Sequence, residues 1–413
     1  MKTTKFSCLA WLILTLPAAR GEPFRTDINP ALLYYQAFLM APELSQADRD
    51  YLFMTNWQGQ KLPEQFGKIL AGYDSEFNLV REAAQQKVPC DWGIDLKRKG
   101  FDAQLPHLAR AKAVTQVAQL RVMWDLQHGN QAGARDDLLA AFLLARNVSR
   151  DGTVIGALVQ YANTAIVNAT VAENFGRFSP ETLKQLVDGF AAAPAPGTLA
   201  TALEADKLGF LVWFPNKIRE LQRENPGNDT KVMETISGNW FANDKQDTNI
   251  WERISAASGG TSDGFLKLVR EMEPLYPRLI KIMTLPFPEY EGQMQKFDAE
   301  IQKSRNPLIP IAFPGSFQSA RRKEFRMQAE LAMVRAAVEF KLHGEAGLKS
   351  VTDPLGNGPF IFQRFVFEGV DRGFELKSAY AGLGYPCALI FVEKEGTPFS
   401  VSGSKHIGEA IKP

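Results

Sequence analysis

Apolar residues recur with helical spacing from Asn29 to about His343, which predicts a mainly helical region. Short turns such as Gly129-Asn130, and the Asp151-Gly152 stop before a helix at about 153–174, indicate antiparallel neighbours in a bundle or solenoid-like array. The best apolar stripes are Ala113, Val117, Leu120 and Trp124; Leu138, Ala141, Phe142 and Ala145; and Leu183, Leu186, Val187 and Phe190.

Breaks in this pattern define the later helices. Residues 200–224 predict a long helix that Pro215 should kink or end. Glycine, proline and asparagine clusters divide residues 225–264, so we expect an irregular insertion there, either a mobile lid or merely tolerated surface. Prolines separate this insertion from a strongly amphipathic helix at about 319–342, which His343-Gly344 should end.

The pattern changes towards strands after Asp353. Segments rich in Phe, Ile, Leu and Val occupy 359–367, 373–380 and 387–392, and we also consider a fourth strand at 398–401. Because so few short strands are marginal alone, we expect them to pack on the preceding helix. The predicted fold is mainly α, with a helical domain at 22–345 and a small C-terminal antiparallel β meander at 346–413.

The first 21 residues have the pattern of a cleavable secretory signal. Lys2 and Lys5 precede an apolar stretch, Phe6–Leu16, that is too short to span a bilayer. A small-x-small cleavage site, Ala19-Arg20-Gly21, follows it. We therefore expect an exported protein, periplasmic or extracellular, cleaved after Gly21. No later run reaches the roughly 18 to 20 uninterrupted apolar residues of a transmembrane helix, so no transmembrane anchor is expected after cleavage.

Composition and charge narrow the class of protein. Apolar residues make up 45% of the 413-residue chain and charged residues 23%, which is typical of a globular protein with a sizeable core. The whole chain carries 47 Lys and Arg against 46 Asp and Glu. Removal of the basic leader would make the balance slightly acidic, and this argues against nucleic acid as a partner.

Cysteine usage leaves two interpretations open. Cleavage would remove Cys8 and leave Cys90 and Cys387 in an oxidising compartment, where a disulfide would tie the two ends of the chain together. The alternative is two separate buried thiols. A nucleophilic cysteine would need a neighbouring base. The histidines that could supply one are His107, His128, His343 and His406.

The search for enzyme motifs assigns no catalytic, cofactor-binding or metal-binding residue. The sequence has no H-E-x-x-H, no phosphate-binding glycine loop and no closely spaced set of Cys and His for a metal. Two carboxylate pairs, Asp136-Asp137 and Asp91 with Asp95, are of the kind that a glycosidase needs across a cleft. We expect Asp136-Asp137 to be helix surface and Asp91 to be a turn or cap residue.

Three segments resemble known families. Asp353–Phe360, followed by Gly373–Leu376, resembles the "DPF-G-PF" tail of uncharacterised exported bacterial proteins and is similar to the C-terminal part of type II secretion pseudopilins. Cys90–Gly93, with alanine-rich helices after Leu105–Leu108, resembles the amino-terminal half of the same families. Residues 128–147 resemble the second half of a tetratricopeptide-type hairpin. These families have no assigned activity, so the resemblance implies architecture alone.

Three hypotheses for function follow. The first is a non-catalytic exported helical scaffold or binding protein of the cell envelope, which acts on an envelope protein or a glycan through a grooved helical surface. The alternative is an envelope hydrolase, directed at glycans, with an acid pair near residues 225–264. The third is an accessory role near a secretion or pilus apparatus, through the C-terminal sheet. The tryptophans that would line a glycan groove, unless they are core, are Trp92, Trp213, Trp240 and Trp251.

Overall fold

The computed structural model describes residues 27–53, 57, 60–241, 249–379 and 386–396. Within these ranges the chain is mainly helical and ends in a small antiparallel sheet, which confirms the predicted fold class. The predicted leader and the fourth strand at 398–401 lie outside the described residues. The helices, in chain order, are α1 (Pro30–Met40), α2 (Gln46–Phe53), α3 (Gln65–Ala71), α4 (Asp74–Gln85), α5 (Leu96–Lys99), α6 (Pro106–Gln127), α7 (Gln131–Val148), α8 (Val154–Glu173), α9 (Pro180–Ala192), α10 (Leu199–Leu208), α11 (Phe214–Glu224), α12 (Asp229–Ile236), α13 (Ile250–Ala257), α14 (Ser262–Glu271), α15 (Leu275–Met283), α16 (Phe287–Ile301), α17 (Ile309–Ala312) and α18 (Ser316–Lys349).

Capping side chains fix where the central helices begin. The side chain of Asn130 accepts a hydrogen bond of 3.1 Å from the backbone N–H of Gly133 at the start of α7. Thr153 caps α8 in the same way, and Ser179 caps α9 just before Pro180. Each cap satisfies an N–H that has no partner within its helix. Helices α7 and α8 therefore start close to their predicted positions.

The C-terminal sheet is a meander of β1 (Ile361–Phe367), β2 (Val370–Lys377) and β3 (Ala388–Val392), paired antiparallel in the order β1-β2-β3. Phe374 of β2 is fully buried, and its ring centroid lies 5.2 Å from that of Phe340 on α18. It also lies 5.7 Å from the ring of Phe175, which follows α8. The sheet therefore shares one apolar core with the helices.

The turn before the sheet is held by Asp353, which is buried. Its carboxylate accepts hydrogen bonds from the Ser378 hydroxyl at 2.6 Å and from the backbone N–H of Leu355 and Ala379. The bonds from Ser378 and Ala379 join the turn to the end of β2. Asp353, the first residue of the segment that resembles the pseudopilin tail, thus has a structural role in docking the sheet.

Helix α8 lies at the centre of the bundle, in contact with α6, α7, α18 and β3. Among the described helices it is the one that is long and apolar enough to cross a membrane by length and composition, but 56% of that segment is buried inside the protein. Gln160, Asn163 and Asn168 lie along it and are fully buried. These observations fit the central helix of a packed bundle.

Two segments differ from their predictions. Residues 200–224 form α10 and α11 joined by a π-helical turn, Gly209–Trp213, with Pro215 in the first turn of α11. Residues 225–264 form α12, a second π-helical turn, α13 and the start of α14, apart from 242–248, which are not described. Ile236 and Ile254 are fully buried, so this segment contributes to the core instead of forming an irregular insertion.

The last long helix bends where the sequence predicted its end. Gly344 interrupts α18 with a φ of 64°, a left-handed conformation that glycine adopts without steric cost. The helix then continues to Lys349 in a new direction.

Candidate functional site

The π-helical turn Gly209–Trp213 is fixed on one side by an aromatic cluster. Trp213 is buried, and its ring lies 5.5 Å from that of Phe101 and 6.0 Å from that of Trp240. Gly100 lies directly against Trp213, with a φ of 48°, and a Cβ at position 100 would come within 2.1 Å of the indole. π-helical turns often mark functional sites, and this one contributes residues to two concave surfaces.

A groove of about 800 Å³ lies on one side of the turn, between α10–α11 and α14–α15. Seven of its lining residues are apolar and six are polar, and none of the polar ones is buried, a composition expected of a binding site. The apolar residues are Leu208, Leu211, Val212, Pro215, Leu266, Val269 and Pro277, and the polar ones are Lys207, Arg219, Gln222, Asp263, Arg270 and Glu273.

The polar edge of the groove is partly fixed by local bonds. Lys207 pairs with Glu204, one turn earlier on α10. The amide of Gln222 donates to Asp263 at 3.0 Å, which joins α11 to α14 across the groove. Arg270 is exposed and forms no ion pair with the described residues. A basic side chain therefore stands at the edge of an apolar groove, available to a partner.

A smaller cavity of about 170 Å³ lies on the other side of the turn. It is enclosed by the segment after α5, the first residues of α8, and the junction of α10 with the π turn. Its lining is apolar except for Thr153 and Asp206, and the other lining residues are Leu96, Gly100, Phe101, Ala103, Leu105, Val154, Ile155, Ala205 and Gly209. Phe101 and Ile155 are about half exposed and place apolar surface at the mouth.

Asp206 is the ionisable residue of this cavity. Its Oδ2 accepts a hydrogen bond of 3.2 Å from the hydroxyl of Tyr276, which is buried behind it. Burial raises the pKa of Asp206 to about 6, and the bond from Tyr276 lowers it in part. No cation of the described residues contributes to that pKa. Asp206 is thus a partly buried carboxylate to which the described residues supply no counter-charge.

The predicted carboxylate pairs do not share a cleft. Asp136 is on the surface, paired with Arg135. Asp137, which we expected on the surface, is instead completely buried and accepts hydrogen bonds of 2.7 Å from both Arg81 and Arg121. The prediction was wrong for Asp137 because its side chain points into the contact between α7, α4 and α6.

The second pair, Asp91 with Asp95, has local structural roles. Asp91 accepts from the backbone N–H of Gly93 at 2.9 Å, which is a turn-stabilising bond, as predicted. Asp95 caps α5 by accepting from the N–H of Arg98 at 3.0 Å. Asn29 exchanges two hydrogen bonds with the backbone of Asp91, so this segment is held against the start of α1.

A buried His-Asp pair lies beneath the start of α8. Nε2 of His107 is 3.0 Å from Oδ2 of Asp151, and neither side chain is exposed. The ring of Trp92 stacks on His107 with centroids 4.4 Å apart, and its indole N–H donates to the carbonyl of Asn147. Asp151 also accepts from the N–H of Thr153. This pair orders the entry to α8 and has no access to substrate.

The remaining predicted aromatic residues belong to packed clusters. Trp213 and Trp240 contact each other and Phe214, and Trp251 lies 5.7 Å from Phe241. None of the four tryptophans lines the 800 Å³ groove. They are therefore not arranged as a sugar-binding platform.

The proposed disulfide is absent: within the described residues Cys90 and Cys387 are two separate buried thiols. Cys90 lies beside the start of α1, near the backbone of Ala31, whereas Cys387 precedes β3 close to Glu330 of α18. Burial raises the pKa of each thiol to about 12. Neither thiol is activated as a nucleophile would be, and His406 lies outside the described residues.

This arrangement predicts the reactivity of the thiols. In a chain that begins at Glu22, we expect both to be unreactive towards Ellman's reagent in the native protein, because they are buried and protonated. Both should react after denaturation without reductant. A denatured, unreduced protein that shows no free thiol would contradict the structure and restore the disulfide. The control is the reduced, denatured protein, which gives the full count.

Sequence reasoning missed one motif spacing and one site. Residues 260–264, Gly-Thr-Ser-Asp-Gly, have the G-x-S-x-G spacing of a hydrolase elbow. Here Ser262 is buried at the start of α14, bonded to Asp229 and Gln222, with no described histidine in contact. The cavity of Asp206 gave no sequence signal. No group of His, Cys, Asp and Glu suited to a metal occurs among the described residues.

Comparison of the chain with protein-family models, curated proteins and solved structures finds no match in any of the three.

Proposed function

We propose that this is a non-catalytic binding protein of the cell envelope, exported by its leader, that takes an apolar-faced segment of a partner protein into the 800 Å³ groove. The observation that carries the proposal is the groove itself, which lies between helices and is lined by apolar residues together with unburied side chains of both charges. Grooves of this kind receive amphipathic helices, whose apolar side chains enter the floor while polar ones meet the edge.

The composition of the groove favours a polypeptide over a glycan. Among the described residues no aromatic side chain lines it, so these residues offer a sugar ring no face on which to stack. Val212 exposes 40% of its surface there, which is apolar area that a partner would remove from water. Arg270 at the edge would favour an acidic residue on the partner.

Site-specific photo-crosslinking tests this proposal. A benzophenone amino acid is placed at Val212 in the groove and, in a matched variant, at Val370 of β2, another exposed valine that is 52% exposed. In intact cells we expect a discrete covalent adduct with a partner from position 212. Adding Arg270→Glu should reduce the yield of that adduct severalfold, because the basic edge becomes acidic.

The position of the adduct also separates the hypotheses. A discrete adduct from position 370, with none from 212, would overturn the groove proposal and favour docking through the C-terminal sheet. Equal and diffuse labelling from both positions would show that neither surface has a specific partner.

A further inference from the structure

We propose that the cavity beside Asp206 is a separate binding site for a small primary amine with an apolar body, such as an arylalkyl or alkyl ammonium ion. This site lies on the opposite side of the π turn from the groove, and the inference does not depend on the groove having a partner.

The charge of the cavity points to a cation. Asp206 is the acidic residue among those that line it, and among the described residues its carboxylate accepts a side-chain hydrogen bond from Tyr276 alone, at 3.2 Å to Oδ2. The nearest basic residue along the chain, Lys207, lines the groove instead and is paired with Glu204. A partly buried carboxylate without a counter-ion is unfavourable, and an ammonium group that donates to its second oxygen would supply the missing charge.

The walls and the size of the cavity define the rest of the ligand. Apart from Thr153 and Asp206 the lining is aliphatic, aromatic or glycine, so the remainder of the ligand is apolar. A volume of about 170 Å³ is well below the range of drug-sized sites, and the ligand is correspondingly small. The half-exposed ring of Phe101 at the mouth offers a face on which a cation can rest during entry.

The composition also explains what the cavity excludes. A carboxylate or phosphate ligand would meet Asp206 with like charge. A neutral ligand of the same shape, such as an alcohol, can donate a hydrogen bond to the carboxylate but brings no counter-charge. The site is therefore expected to bind the amine more tightly than its neutral isostere, and this difference in affinity distinguishes it from a simple apolar cavity.

Calorimetric titration at pH 8, where Asp206 is ionised, tests the proposal with benzylamine and with benzyl alcohol as its neutral isostere. We expect the wild-type protein to bind benzylamine at least tenfold more tightly than benzyl alcohol. Asp206→Asn should abolish this preference. The matched control, Asp188→Asn, removes an exposed carboxylate of α9 that lines neither the groove nor the cavity, and it should leave benzylamine binding unchanged.

A second variant keeps the test decisive if Asp206→Asn does not fold. Ala205→Leu fills the cavity from α10 while leaving the carboxylate in place, and it should abolish binding of both ligands. Equal affinity for the amine and the alcohol, binding of neither, or benzylamine binding that survives both substitutions would each overturn the proposal. Circular dichroism confirms that each variant retains its helices.

Discussion

Replacing Asp137 with alanine is expected to lower the free energy of unfolding by about 3 to 5 kcal/mol, the usual effect of removing one partner from a buried ion pair. The carboxylate is fully buried and accepts from Arg81 on α4 and Arg121 on α6. Without it Arg121, whose side chain is only 11% exposed, keeps its charge inside the protein. Arg121 keeps its hydrogen bonds to the Asp74 carboxylate and to the carbonyl of Leu70. We therefore expect a loss of unfolding free energy of about 3 kcal/mol.

The neighbouring residue provides the matched control. Asp136→Ala removes a carboxylate of the same helix turn, but one that is 46% exposed and paired with Arg135 at the surface. Such pairs contribute about 0 to 1 kcal/mol. Urea denaturation followed by circular dichroism measures both variants. Equal destabilisation by the two substitutions would show that Asp137 does not hold the helices together.

Asp136 and Asp137 also show how far sequence reasoning reached. The stripe of Leu138 and Ala141 fixed the apolar face of α7, and Asp137 stands one residue before the first and four before the second. Helical phase therefore places it near the buried face, and that signal was present in the sequence. Its partners lie 56 and 16 residues away, and nothing in the local pattern identifies them.

The candidate sites were beyond prediction for a similar reason. Helix starts, the break at Gly344 and the meander follow from local chemistry, such as caps, left-handed glycine and alternating apolar residues. The cavity of Asp206 is assembled from residues near 100, 154 and 206, and its carboxylate is bonded by Tyr276. Only tertiary packing brings these together. The π turn likewise has no recognised sequence signal, although Pro215 indicated a discontinuity there.

Glu173 at the end of α8 is expected to make the protein less stable as the pH rises. Burial raises its pKa to about 8, and the bond from Gln119 offsets this only in part. Its Oε1 has no hydrogen-bond partner, which is consistent with a carboxyl group that is neutral at neutral pH. In the unfolded chain the group has its ordinary pKa of 4.5. Between these two values the folded state holds a proton that the unfolded state has lost.

The sign of the effect follows from this difference in bound protons. Stability contributed by the neutral carboxyl group is complete below pH 4.5 and declines as the pH rises towards 8. Between pH 4.5 and pH 8 each pH unit lowers the free energy of unfolding by at most about 1.4 kcal/mol. The total decrease between pH 5 and pH 8 is about 3 kcal/mol. Glu173→Gln replaces the neutral acid with a similar, non-titrating group and should remove this dependence.

We therefore expect Glu173→Gln to match the wild type at pH 5 within about 1 kcal/mol and to exceed it by about 3 kcal/mol at pH 8. Urea denaturation at intervals of pH measures the difference, and subtracting the two proteins cancels every other titrating group. Glu82→Gln, on the exposed face of α4, is the matched control and should remain parallel to the wild type. If the unfolding free energy of Glu173→Gln also runs parallel to that of the wild type across this pH range, Glu173 is ionised in the folded protein, with a counter-charge or solvent in reach of its carboxylate.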